Sequence, residues 1–166
     1  MKPEPVNLLD YQNIVETYHK ESDRAAIVLA GSFVEHFLAA YLQHFMLNDD
    51  SIKNPFTGFG PFASFDQRIS TAYAFKLIPA DIRDDLVHIK RIRNHFAHSP
   101  RATSLSDSSV RKDFAELSTA RDPSYNAQGN DPLTDKRLIY LFAVANFAVF
   151  AHNTMQKYPR SIFRTT

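Results

Sequence analysis

The sequence predicts an all-α fold, a single-domain bundle of about five to six helices spanning residues 1–166. Three observations predict it. Apolar residues recur at three- and four-residue intervals over several long segments. No segment alternates apolar and polar residues as a strand would. The breaks between the periodic segments carry helix caps, prolines and short polar runs.

In chain order, residues 1–6 read as a loose Pro-containing arm. A short helix follows from about Leu8 to His19, with Leu8, Tyr11, Ile14, Val15 and Tyr18 on one side. Asp23 reads as the N-cap of a long helix from Arg24 to about Leu47. Apolar residues from Ile27 to Met46 nearly encircle that helix, so it is expected to be buried on most sides or to meet a second copy of the chain. Gly31, Ala30, Ala39 and Ala40 permit close approach of a neighbouring helix. Asn48 to Pro61 is a break whose Phe56 and Phe59, with Phe62 beside it, suggest a loop pinned to the core. Ser64 and Gln67 form a capping box for a helix from Phe65 to about Leu77, with Phe65, Ile69, Ala72, Tyr73 and Lys76 along one side. Pro79 suits the first turn of the next helix, and Pro100 should stop it near His98. Residues Arg101 to Ser109 are polar, a short helix covers about Val110 to Leu117, and residues 119–134 read as a surface loop. The last helix runs from about Thr134 to Tyr158, with Leu138, Leu141, Phe142, Ala145, Phe147, Val149 and Phe150. Its apolar density makes it the core partner of the long second helix. Residues 159–166 form a basic tail.

Composition excludes several classes of function. The net charge is +1, so nucleic-acid binding would need a local patch. There is no Cys, hence no disulfide, thiolate zinc site or Cys nucleophile. Four Gly without a G-x-G cluster argue against a dinucleotide or P-loop site. No cofactor is expected. No signal-type run opens the chain, and no stretch reads as long and apolar enough to cross a bilayer, so a cytoplasmic protein without membrane contact is expected.

The chemistry concentrates at the end of the central helix. Between Val87 and Ser106 there is no acidic residue, while Lys90, Arg91, Arg93, His95, His98 and Arg101 crowd together. Arg93, Asn94 and His98 are the candidate catalytic set. A guanidinium can clamp phosphate, the amide can orient it, and an imidazole can carry a proton. With the 2′-OH of RNA as nucleophile, no metal is required. Lys90, Arg91, His95 and Arg101 are the candidate binding residues around them. The competing reading is structural. Cations suit a helix C-terminus, and Arg93 would pair with a core-side carboxylate such as Asp66, Asp85 or Glu35. Arg93 and His98 also lie about 140° apart around the helix. His36 and His44 are better explained as hydrogen-bonded structural residues than as metal ligands, and no metal site is expected. The helix pair before His98 is a poor helix-turn-helix, because Asp81, Asp84 and Asp85 would face the DNA polyanion.

The run from Gly60 to Ile78 and the run from Ile89 to Ser99 resemble the mannitol operon repressor family. They carry its F-x-x-R-I-x-x-A-Y-x-x-x-L-I helix and its I-R-N-x-F-A-H helix end. The likeness extends upstream to Arg24. It implies an all-helical fold and a role in transcriptional control. Since no DNA-reading element is present, the implied regulator would act through a protein partner. Arg93-Asn94-x-x-x-His98 also resembles the R-polar-x-x-x-H signature of the HEPN superfamily, many of whose members are metal-independent ribonucleases working as dimers. That resemblance implies Arg93 for phosphate, Asn94 for orientation and His98 for proton transfer, at a cleft shared by two chains. The expectation is a homodimeric regulator, with an RNA endonuclease as the alternative.

Overall fold

A computed structural model describes residues 16, 18, 20–47, 54–99, 104–123 and 135–159. The described residues form six helices and no strand: α1 (Asp23–His44), α2 (Phe65–Ala74), α3 (Ala80–His98), α4 (Ser108–Glu116), α5 (Ser118–Arg121) and α6 (Lys136–Lys157). The expected helix from Leu8 to His19 lies almost wholly outside them.

The helix α1 begins where Ser22, rather than Asp23, accepts a hydrogen bond from the Ala25 N–H at 3.3 Å. Asp23 is the first helical residue. There it faces the positive end of the helix dipole and pairs with Arg137 at 3.4 Å. At the other end, His44 meets the Tyr158 carbonyl at 2.7 Å. The two contacts show that α1 and α6 run parallel. Phe147 packs edge-on against Phe37 and Tyr41, with ring centroids 6.0 and 6.5 Å away. This is the expected core pair. Of the apolar residues expected on α6, Leu141, Ala145 and Phe147 are buried, as are Ile139, Tyr140 and Val144, whereas Phe142 and Val149 face outward.

Both core helices reach the length and hydropathy of a membrane span, contrary to the reading of the sequence. Half of each apolar window is buried inside the bundle.

The helix α3 lies at the centre of the bundle, against α1, α2, α4 and α6. Ile82, Leu86, Ile89, Ile92 and Phe96 are buried on it, as their spacing predicts. Ser99, before Pro100, is extended at ψ 122° and ends the helix at His98. Tyr140 ties three helices together. Its hydroxyl donates to the Ile27 carbonyl at 3.2 Å and lies 3.5 Å from that of Ile89. Burial pushes its phenol pKa up. Gly31 is required at this crossing, since a Cβ there would come within 2.6 Å of Arg93 Cγ and of the Tyr140 hydroxyl.

The capping box at Ser64 and Gln67 forms as expected. The helix it opens stops early, at Ala74 rather than Leu77. The Leu77 N–H bonds to the Ala72 carbonyl and the Lys76 N–H to that of Tyr73, both at 2.9 Å. These are the two bonds of a Schellman motif, with Lys76 in the left-handed position at φ 56°. Glycine is the usual residue there, because a Cβ is strained at that φ. Lys76→Gly is therefore expected to stabilise the fold by about 1 kcal/mol, read as a higher urea midpoint at unchanged m-value. An unchanged or lower midpoint would show that the lysine side chain offsets its own strain.

Residues 54–63 are pinned by Arg68, which is 8% exposed. Its Nε donates to the Phe62 carbonyl at 2.8 Å, and its Nη atoms donate to the carbonyls of Glu35, Phe56 and Ala63 at 3.1–3.2 Å. Phe56 and Phe62 are half-buried against each other. Phe59 escapes the core altogether and is fully exposed.

Candidate functional site

The C-terminal half of α3 has the cations the sequence places there, but it is not an open basic surface. Acidic residues from other elements meet nearly every one of them. Arg93 donates from Nη2 to Glu35 Oε2 on α1 at 2.5 Å. Its guanidinium lies 5.7 Å from the Phe65 ring centroid, and its stem lies against Gly31. The side chain is 17% exposed, and its Nε is buried with no hydrogen-bond partner among the described residues. Glu35 is held from a second side by Arg68 Nη1, 3.8 Å from its Oε1. Of the carboxylates considered from sequence, Glu35 is therefore the partner.

Lys90 pairs with Asp66 on α2. Arg91 lies 3.5 Å from Asp113 on α4, whose carboxylate also meets His88 Nδ1 at 2.8 Å. His95 Nε2 is 3.2 Å from Asp107 and 3.4 Å from the Ser109 hydroxyl. Asn94 is half-buried. His98 is exposed and makes no hydrogen bond or ion pair among the described residues. Arg101 lies outside the described residues. The structure thus separates the candidate triad. Arg93 faces the α1–α2 side with its charge matched, and His98 faces solvent, as their angular separation requires.

The two other histidines considered as ligands each meet a backbone carbonyl. His36 Nδ1 meets the Ser32 carbonyl at 2.8 Å, and His44 meets Tyr158 as above. No group of three or more His, Asp or Glu suited to a metal ion occurs among the described residues.

Asp85, a core-side carboxylate considered from sequence as a partner of Arg93, is instead bonded to Ser118. It points inward from α3 and is 1% exposed. Its oxygens accept from the Ser118 N–H at 2.7 Å and from the Ser118 hydroxyl at 2.5 Å, capping the start of α5. Burial raises its pKa; the Ser118 bonds and the charges of Arg121 and His88 pull it partly back. The folded state therefore holds the Asp85 proton more tightly than the unfolded chain does. Asp85 contributes most below its ordinary value of 3.8, and that contribution is lost as pH rises through the folded pKa. Asp85→Asn should remove this slope. The stability difference, variant minus wild type, is expected to grow in urea melts as pH rises above the ordinary value of 3.8. Parallel pH profiles would show that the carboxylate is not perturbed.

Comparison with protein-family models, with curated proteins and with solved structures finds no match to this chain.

Proposed function

We propose that this domain is a transcriptional regulator of the mannitol-repressor type that works through a protein partner, in the cytoplasm and as a homodimer. The observation that carries this reading is the structural engagement of Arg93. Its guanidinium pairs with Glu35 and lies 5.7 Å from the Phe65 ring centroid, and its stem is fixed over Gly31. Pairing of Lys90, Arg91 and His95 with Asp66, Asp113 and Asp107 likewise leaves little free positive charge to hold a nucleic-acid backbone.

The exposed His98 favours a second reading, that of a metal-independent ribonuclease with Arg93, Asn94 and His98 at a cleft between two chains. An exposed imidazole at a helix end is free to carry a proton to or from RNA. One experiment separates the two. Labelled single-stranded and structured RNAs are incubated with wild type and His98→Ala, with chelator present. The regulator reading expects no cleavage by either protein. Cleavage to 2′,3′-cyclic phosphate ends by wild type, reduced about 100-fold or more in a folded His98→Ala, would overturn it in favour of the enzyme.

A further inference from the structure

At the end of the bundle away from His98, two clefts adjoin, of about 550 Å³ and about 720 Å³. Both fall in the size range of small-molecule sites. Tyr41, Phe45, Phe62, Phe75 and Tyr158 give the first an aromatic lining. Phe75 is 72% exposed, so much of this apolar surface faces solvent. The polar groups of the floor are already used inside the protein. The Tyr41 hydroxyl donates to the Leu77 carbonyl at 2.5 Å, and Thr154 donates to the Phe150 carbonyl at 2.8 Å.

The charged residues lining the clefts are of one sign. Lys76 belongs to both clefts and Lys157 to the second, and no Asp or Glu among the described residues lines either. Lys157 lies 5.3 Å from the Tyr158 ring centroid, whereas Lys76 has no ion pair among the described residues. Lys76 is also the residue held at φ 56° where glycine would be less strained. Strain retained at a position that puts a cation on an apolar cleft points to a use for that cation.

We propose that this cleft binds a monomeric medium-chain carboxylate, its acyl chain against Phe45, Phe62 and Phe75 and its head group at Lys76. The inference is independent of both readings of the α3 terminus. An apolar lining with a single shared cation selects a ligand with one apolar body and one negative end. A cationic amphiphile of the same chain length would meet only like charge.

The test is titration of the full chain with decanoate below its micellar concentration, followed by backbone amide NMR. Decyltrimethylammonium is the control, and Lys76→Gly and Lys76→Met are the variants. The expected result is saturable shifts at Leu42, Leu77 and Thr154, with affinity about fivefold or more weaker in both variants. Decyltrimethylammonium should not saturate the site. Lys76→Gly relieves backbone strain, so misfolding would not mask the result. Absence of saturable shifts, shifts elsewhere, or equal affinity in wild type and variants would overturn the proposal. So would occupation of the cleft by an acidic amphipathic peptide, or binding to anionic vesicles, when monomeric decanoate does not bind.

Discussion

Arg68→Met is expected to destabilise the domain by about 3–4 kcal/mol and to release the loop from Pro55 to Ala63. The guanidinium serves carbonyls from two separate regions, Phe56, Phe62 and Ala63 in the loop and Glu35 on α1. Burial lowers its pKa, opposed by the Glu35 charge, yet an arginine remains protonated and keeps all its donors. Methionine keeps much of the stem but supplies no donor. The four carbonyls would have to find water, and Glu35 would lose one of its two arginines. Urea denaturation measures the loss, and limited proteolysis under native conditions should show new cleavage near Phe59. Arg68→Lys should fall close to the methionine variant, because an ammonium cannot span the same acceptors. A loss below about 1 kcal/mol with no new cleavage would mean that water replaces the arginine without cost.

Arg93→Ala is expected to cost about 3 kcal/mol, nearly as much, through a different mechanism. It leaves a half-buried Glu35 with the more distant Arg68 and opens a void where the arginine stem covers Gly31. A double-mutant cycle with Glu35→Gln isolates the ion pair. The double variant should be more stable than the sum of the single losses predicts, with a coupling of about 2 kcal/mol. Coupling near zero would mean that Arg93 contributes through packing alone. The expected destabilisation also bears on function. Activity lost in Arg93→Ala would not distinguish catalysis from folding, whereas His98 is exposed and can be replaced without disturbing the core. For that reason the ribonuclease test rests on His98.

Much of the fold was legible in the sequence because helix periodicity and punctuation are local. The apolar spacing of Ile82, Leu86, Ile89 and Phe96, the Ser64–Gln67 box and the stop before Pro100 all recur in the structure. Errors of one to three residues came from signals that compete locally. Ser22 precedes Asp23 as a cap, and the Schellman turn at Lys76 ends α2 without a glycine to announce it. Arg68 could have been found from the pattern. With Phe65, Ile69 and Ala72 it occupies positions on a single helix face, so a charge was being carried into the core.

The sequence by itself determined α1 to α4 and α6, their order, the core pair and the cation-rich end of α3; α5 (Ser118–Arg121), with Ala120 buried, forms where the surface loop over residues 119–134 was expected to begin. Only the tertiary structure decided what those cations do. The acidic partners lie on α1, α2, the start of α4 and α4 itself, as Glu35, Asp66, Asp107 and Asp113. A window along α3 contains none of them. Periodicity depends on neighbours within a turn, and so can be read from a short window. Charge pairing depends on distance in space, and is set only when the helices pack.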